Sequence, residues 1–208
     1  RDRLYAVYSG AKTQELVETR TQQQFDAVIE QRLTALAQTQ VSQILRRLEA
    51  PLLIARGLAT TNSQLGMKDQ AGNPRVHLER EDLINLLKQT IVDNPLLLGG
   101  YIAWEPNALD KDDARFVGTS VKGIDPATGR FQPWWYRNTD GTLGLEPLVD
   151  LSNNTLLSTG VRASEYYLCS QESKRACAID PAPYKVGDKM VMLASFIEPI
   201  LVDGKFQG

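Results

Sequence analysis

One histidine, His77, and two cysteines, Cys169 and Cys177, are all that the 208 residues hold of those two types. That scarcity removes any multi-histidine metal cage or cysteine-rich zinc site, and a Ser/His/Asp or Cys/His device would have to be built around His77 alone. An excess of one charge is missing too: 23 Lys and Arg face 25 Asp and Glu, for a net charge of −2. Without a basic excess or patch to neutralise phosphates, nucleic acid is not an expected partner. The chain lacks the run of about 18 or more apolar residues that a membrane-spanning helix needs, a signal-peptide pattern and a phosphate-binding glycine pattern. No catalysis, cofactor or metal is expected. What is present is a chain with 42% hydrophobic residues, long enough to bury the core of one large domain or two small ones.

From about Lys12 to Thr60 glycine is almost absent, proline occurs once, and apolar residues recur at helical spacing: Phe25, Ile29, Leu33, Leu36, Val41, Ile44, Leu48 and Leu52. The pattern predicts one very long helix or two stacked ones, on the order of 70 Å if continuous. That length exceeds what the core of this chain needs. Part of the helix is expected to project or to pack on a partner, against the alternative that it packs only on its own domain. Pro51 lacks a backbone donor and is a candidate kink. A loop from Thr61 to Arg75 then leads to a second amphipathic helix over Glu79 to Val92, with Leu83, Leu86, Leu87 and Ile91 on one face, stopped at Asn94-Pro95.

Beyond residue 96 the punctuation changes to Gly, Pro, Asp and Asn every ten or so residues, which predicts mostly antiparallel sheet. Strand candidates are Leu96 to Trp104, Val117 to Val121, Tyr166 to Cys169, Met190 to Pro199 and Ile200 to Val202; Pro147 to Asn153 reads as short helix or loop. Helices first and strands after, without βαβ alternation, give an α+β fold with one sheet. The chain opens on Arg1-Asp2-Arg3 and reads as a piece of a longer polypeptide. Its Asp203-Gly204 step predicts a hairpin whose second strand continues past Gly208.

The segment Phe131-Gln132-Pro133-Trp134-Trp135-Tyr136-Arg137 sets three aromatic residues side by side. Such residues line a small-ligand pocket, where their faces attract ammonium or guanidinium groups by about 0.5–2 kcal/mol, or they divide between core and rim. Cys169 and Cys177 flank a short polar segment. In an oxidising compartment they suit a hairpin disulfide worth roughly 2–3 kcal/mol; in a reducing one they are two thiols. Asp110-Lys111-Asp112-Asp113 lacks the glycine and distal Glu of a calcium loop and reads as a solvated turn. Asp180-Pro181-Ala182-Pro183-Tyr184 places an acid and a phenol in a restricted stretch, as a ligand contact or a proline-rich turn. His77, between Arg75 and Glu79, reads as solvated.

Taken in order, the long helix, Gly99-Gly100-Tyr101-Ile102-Ala103-Trp104-Glu105-Pro106-Asn107, Thr128-Gly129-Arg130-Phe131-Gln132-Pro133-Trp134-Trp135-Tyr136-Arg137, Leu145-Glu146-Pro147-Leu148-Val149-Asp150 and Asp203-Gly204-Lys205-Phe206-Gln207-Gly208 resemble the double Cache (dCache) sensor domain of bacterial methyl-accepting chemotaxis receptors. The resemblance covers nearly the whole chain. It implies a periplasmic domain of an inner-membrane receptor: residues 1–60 a signalling and dimerisation helix, residues 61–208 the membrane-distal PAS-like module that takes the ligand. It also favours the Cys169–Cys177 disulfide. Amino-acid sensors of the family carry an Arg-x-Trp-Tyr motif whose Arg holds the ligand carboxylate. Here Trp135-Tyr136 match the aromatic pair, but Pro133 occupies the Arg position, and Pro181-Ala182-Pro183-Tyr184 stands for the usual Pro-Tyr-x-Asp. A buried carboxylate needs a charged or bidentate partner, so the resemblance minus its Arg implies an amine, a polyamine or another small cation, with a purine as runner-up. The expected ligand residues are Tyr101, Trp134, Trp135 and Tyr136 as walls, and Tyr167, Asp180 and Tyr184 as polar contacts. The expected partner is a second copy through the long helix.

Overall fold

The computed structural model describes the backbone of residues 2–208 and the side chains of residues 12–44 and 46–208. Two compact units are present, residues 1–49 and 50–208. Helix α1 (Asp2–Gly66) forms the first and contributes its last turns to the second. In the first unit Phe25, Ile29, Leu33, Leu36, Ile44 and Leu48 are all exposed. Several recur eleven residues apart, as in Val17 and Val28, Phe25 and Leu36, or Leu33 and Ile44. An 11-residue repeat is 3.67 residues per turn, close to the helical period, so the members of each pair lie on the same side of the helix.

The loop expected from Thr61 begins only after Gly66. Thr61, Asn62 and Ser63 satisfy their polar groups on the carbonyls of Gly57, Leu58 and Ala59 within the helix, and Asn62 also accepts a 3.1 Å hydrogen bond from Trp104 Nε1. Helix α2 (Arg80–Asp93) is capped by Asp82, which accepts the Glu79 amide at 2.9 Å. It buries Leu83, Ile84, Leu87 and Ile91; Leu86, expected on that face, is exposed.

Three antiparallel ladders replace the single sheet expected. β1 (Gly99–Tyr101), β2 (Pro133–Arg137) and β3 (Leu143–Pro147) form one, β4 (Cys177–Val186) and β5 (Lys189–Ile197) a second, and β6 (Leu201–Val202) and β7 (Lys205–Phe206) a third. The last is the Asp203-Gly204 hairpin, with both turn residues at positive φ as an Asp-Gly turn requires. The main core lies between α2 and the first ladder, where Leu83, Ile84 and Leu87 meet Ile102, Trp104, Ile124 and Phe131.

Other expectations are corrected. Val117 to Val121 follows the short helix α3 (Asp113–Phe116) and is not a strand: its two valines face solvent, and the Thr119 amide closes a turn onto the Phe116 carbonyl. Tyr166 to Cys169 lies in helix α4 (Glu165–Ser173), ended by Lys174 in the left-handed conformation. The Asp180–Tyr184 stretch is neither turn nor loop but the middle of β4, whose pairing with β5 shifts between Ile179 and Ala182. A bulge leaves a residue out of the ladder, so Pro181 is accommodated without costing a pairing bond. Asp110 to Asp113 is not merely a solvated turn. The Arg80 guanidinium binds both oxygens of Asp110 at 2.7 Å, Asp113 at 2.6 Å and the Gly129 carbonyl at 2.7 Å, and stacks 4.1 Å from the Phe116 ring centroid. Among the described residues His77 pairs with Glu79, and both are exposed.

Candidate ligand-binding cavity

Successive side chains of a strand point to opposite faces, which splits the aromatic run of β2. Trp135 faces α2: its Nε1 donates to the Ile84 carbonyl at 2.9 Å and its ring packs on the main core. Trp134 and Tyr136 face the other way, into a cavity of about 520 Å³, within the usual range for small-molecule sites. Cross-strand register builds its floor. Tyr101 on β1 and Glu146 on β3 flank Trp134, while Gly99 and Gly144 flank Tyr136. A Cβ on Gly144 would collide with the Tyr136 ring, so the ring lies across β3 where that strand has no side chain. The Trp134 and Tyr136 rings sit 4.8 Å apart, and the Tyr136 hydroxyl donates to Glu146 Oε1 at 3.0 Å.

The facing wall comes from α4 and the β4–β5 hairpin. Tyr166 of α4 stacks edge-on with Tyr101 and with Tyr184 of β4, at 5.7 and 5.8 Å, and its carbonyl accepts the Tyr101 hydroxyl at 2.5 Å. Cys169 and Cys177 form a disulfide that ties α4 to the start of β4, with Cα atoms 6.4 Å apart. It packs in a cluster with Ile179, Ile197, Tyr101 and Tyr166. At the hairpin turn, Gly187 approaches Asn138 and Tyr136, and Asp188 and Lys185 reach the cavity rim.

Burial pushes the Tyr101 phenol well above its ordinary pKa, helped by Tyr166 and Tyr184. Burial also raises Tyr136, followed by its hydrogen bond to Glu146 and by the charges of Glu146 and Asp188. Both phenols therefore stay neutral donors near pH 7. The cavity thus pairs neutral aromatic faces with two carboxylates, Glu146 and Asp188, against one base, Lys185. The lining contains no guanidinium that could pair with a carboxylate.

Of the residues expected from sequence, Tyr101, Trp134, Tyr136 and Tyr184 line this cavity. Three stand elsewhere. Trp135 is on the α2 face because of strand alternation. Tyr167 is buried on α4, where its hydroxyl accepts Arg130 Nη2 at 2.5 Å and donates to Glu105, which also accepts Gln171 at 3.0 Å. Asp180 is exposed beside the β4 bulge. Sequence reasoning missed Tyr166, assigned to a strand, and Glu146 and Asp188, whose places depend on cross-strand register and on the hairpin turn.

No family model matches the chain. Methyl-accepting chemotaxis protein TlpQ of Pseudomonas aeruginosa is 30% identical over 207 residues, 98% of this chain, while the chain spans 29% of that protein's length. The crystallised extracellular domain of mmHK1S-Z3, described as a histidine kinase, is 30% identical with a TM-score of 0.62 over 80% of this chain and 51% of that one. Methyl-accepting Chemotaxis protein X shares the fold, with a TM-score of 0.63 over 83% of this chain and 56% of that one at 22% identity. Among the described residues no helix is long and apolar enough to cross a membrane. Similar over nearly its whole length to part of a methyl-accepting chemotaxis protein and over about four fifths of it to two solved sensor domains, the chain has the α+β fold of Cache-type extracellular sensor domains.

Proposed function

We propose that this domain is the ligand-sensing part of a membrane-embedded chemoreceptor and that its ligand is a small amine, polyamine or related organic cation. The observation carrying this reading is the cavity wall: Trp134, Tyr136, Tyr101, Tyr166 and Tyr184 with Glu146 and Asp188, and no arginine. A cation gains from aromatic faces and carboxylates together, whereas an amino-acid carboxylate would meet only Lys185 as a counter-charge. The domain carries out no reaction; its output is a shift between two arrangements for which the ligand has different affinities. Calorimetric titration with putrescine, spermidine, 2-phenylethylamine, amino acids and purines tests the reading. Micromolar or tighter binding of an amine is expected, and tight binding of an amino acid or purine with no amine binding would overturn it.

The exposed apolar residues of α1 support a homodimer through that helix, since an 11-residue repeat lets two helices bury their stripes in a right-handed supercoil. Sedimentation of the protein with Leu33→Ser and Leu36→Ser is expected to show a lower association constant than wild type; equal constants would exclude the stripe as the interface. The similarity to a histidine kinase ectodomain supports a second reading of the output, a kinase in place of a chemotaxis signalling domain, with the same cavity and ligand class.

A further inference from the structure

Glu146 and Asp188 belong to ladders that share no hydrogen-bonded pairing. Glu146 sits on β3 of the first ladder, and Asp188 on the turn joining β4 to β5 of the second. Both line the same cavity as Tyr136, whose hydroxyl donates to Glu146 at 3.0 Å. That turn also reaches over the first ladder, because Gly187 lies near the Asn138 side chain and the Tyr136 ring.

Resting on the amine reading above, we propose that one ligand ammonium is shared by Glu146 and Asp188, against the faces of Trp134 and Tyr136, and so bridges the two ladders. The bridge gives the ligand more contacts when the hairpin is drawn towards β3 than when it is apart. A ligand shifts a two-state equilibrium only by such a difference in affinity, so this shared cation both selects the ligand and biases the hairpin. A monoamine suffices for the task, because the two carboxylates act on a single charge. Polyamines gain from their further nitrogens without needing them.

Titration of 2-phenylethylamine and putrescine into wild type, Glu146→Gln, Asp188→Asn and the double variant tests the bridge. Glutamine keeps an oxygen to accept the Tyr136 hydroxyl, and both side chains are exposed, so thermal melts of the variants should match wild type. Each single change is expected to weaken 2-phenylethylamine about tenfold or more, and the double variant to lose less than the product of the two, as coupled partners of one charge do. Hydrogen exchange of the Val186 to Lys189 amides should slow when 2-phenylethylamine binds wild type and change less with Asp188→Asn. If Asp188→Asn leaves 2-phenylethylamine unchanged while weakening putrescine, the acids hold separate nitrogens and the shared bridge is wrong. If the singles each lose affinity but combine multiplicatively, the bridge is equally wrong. If no amine binds wild type, the amine reading itself fails, an outcome distinct from either.

Discussion

Trp135→Ala is expected to destabilise the domain by about 3 kcal/mol, the lower end for losing a packed Trp, while the neighbouring Trp134→Ala costs about 1 kcal/mol or less of stability and at least tenfold in amine affinity. The two residues are adjacent in sequence and share a strand, yet one fills the space between β2 and α2 and the other walls the cavity. Removing Trp135 also strips the Ile84 carbonyl of its indole donor. Removing Trp134 deletes the largest aromatic face available to a cation, worth about 0.5–2 kcal/mol by itself. Urea unfolding followed by circular dichroism, paired with calorimetric titration of 2-phenylethylamine on each folded variant, separates them. Loss of binding without loss of stability in Trp135→Ala would place the ligand on the wrong face of β2.

Replacing Arg80 by Met is expected to cost about 3–5 kcal/mol, because it leaves buried Asp113 as an unpaired charge. The Arg80 side chain is only 4% exposed and that of Asp113 7%, so water cannot substitute for the lost guanidinium. The pH dependence distinguishes a charge effect from lost packing. Burial pushes the Asp110 carboxyl up, but hydrogen bonds from Arg80 and the Asp112 amide outweigh it and leave the group below its ordinary value. A carboxylate held low in the folded state stabilises above its unfolded pKa, near 3.9, and that contribution is lost as pH falls through the folded value. The gap between wild type and Arg80→Met should therefore narrow below about pH 4 in acid-unfolding curves. A constant gap down to pH 2 would mean that the arginine acts through packing alone.

Local pattern explains what the sequence revealed. The long helix and α2 are written in i, i+3, i+4 spacing, and the Asp203-Gly204 turn in a dipeptide that tolerates positive φ. A short run of large residues such as Tyr166 to Cys169 looks alike as strand or buried helix, and Glu165 in the first turn is the local signal for helix. The prolines of Asp180-Pro181-Ala182-Pro183 disfavour a ladder, and the bulge between Ile179 and Ala182 is what admits Pro181 to one. In the site, strand alternation already put Trp134 and Tyr136 on one face and Trp135 on the other. Which face is hollow depends on where α2 packs, and pairing Glu146 with Trp134 depends on a register that no single segment contains.

Gly144, paired with Tyr136 across the ladder, shapes the cavity by what it omits. At Gly144 the absent side chain leaves the space in which the phenol ring lies, and a methyl there would collide with that ring. The width of the cavity floor is thus set by a residue that presents no side chain to it. A lineage could retune the molecules it senses by a one-carbon change in the floor, with every aromatic and acidic contact still in place.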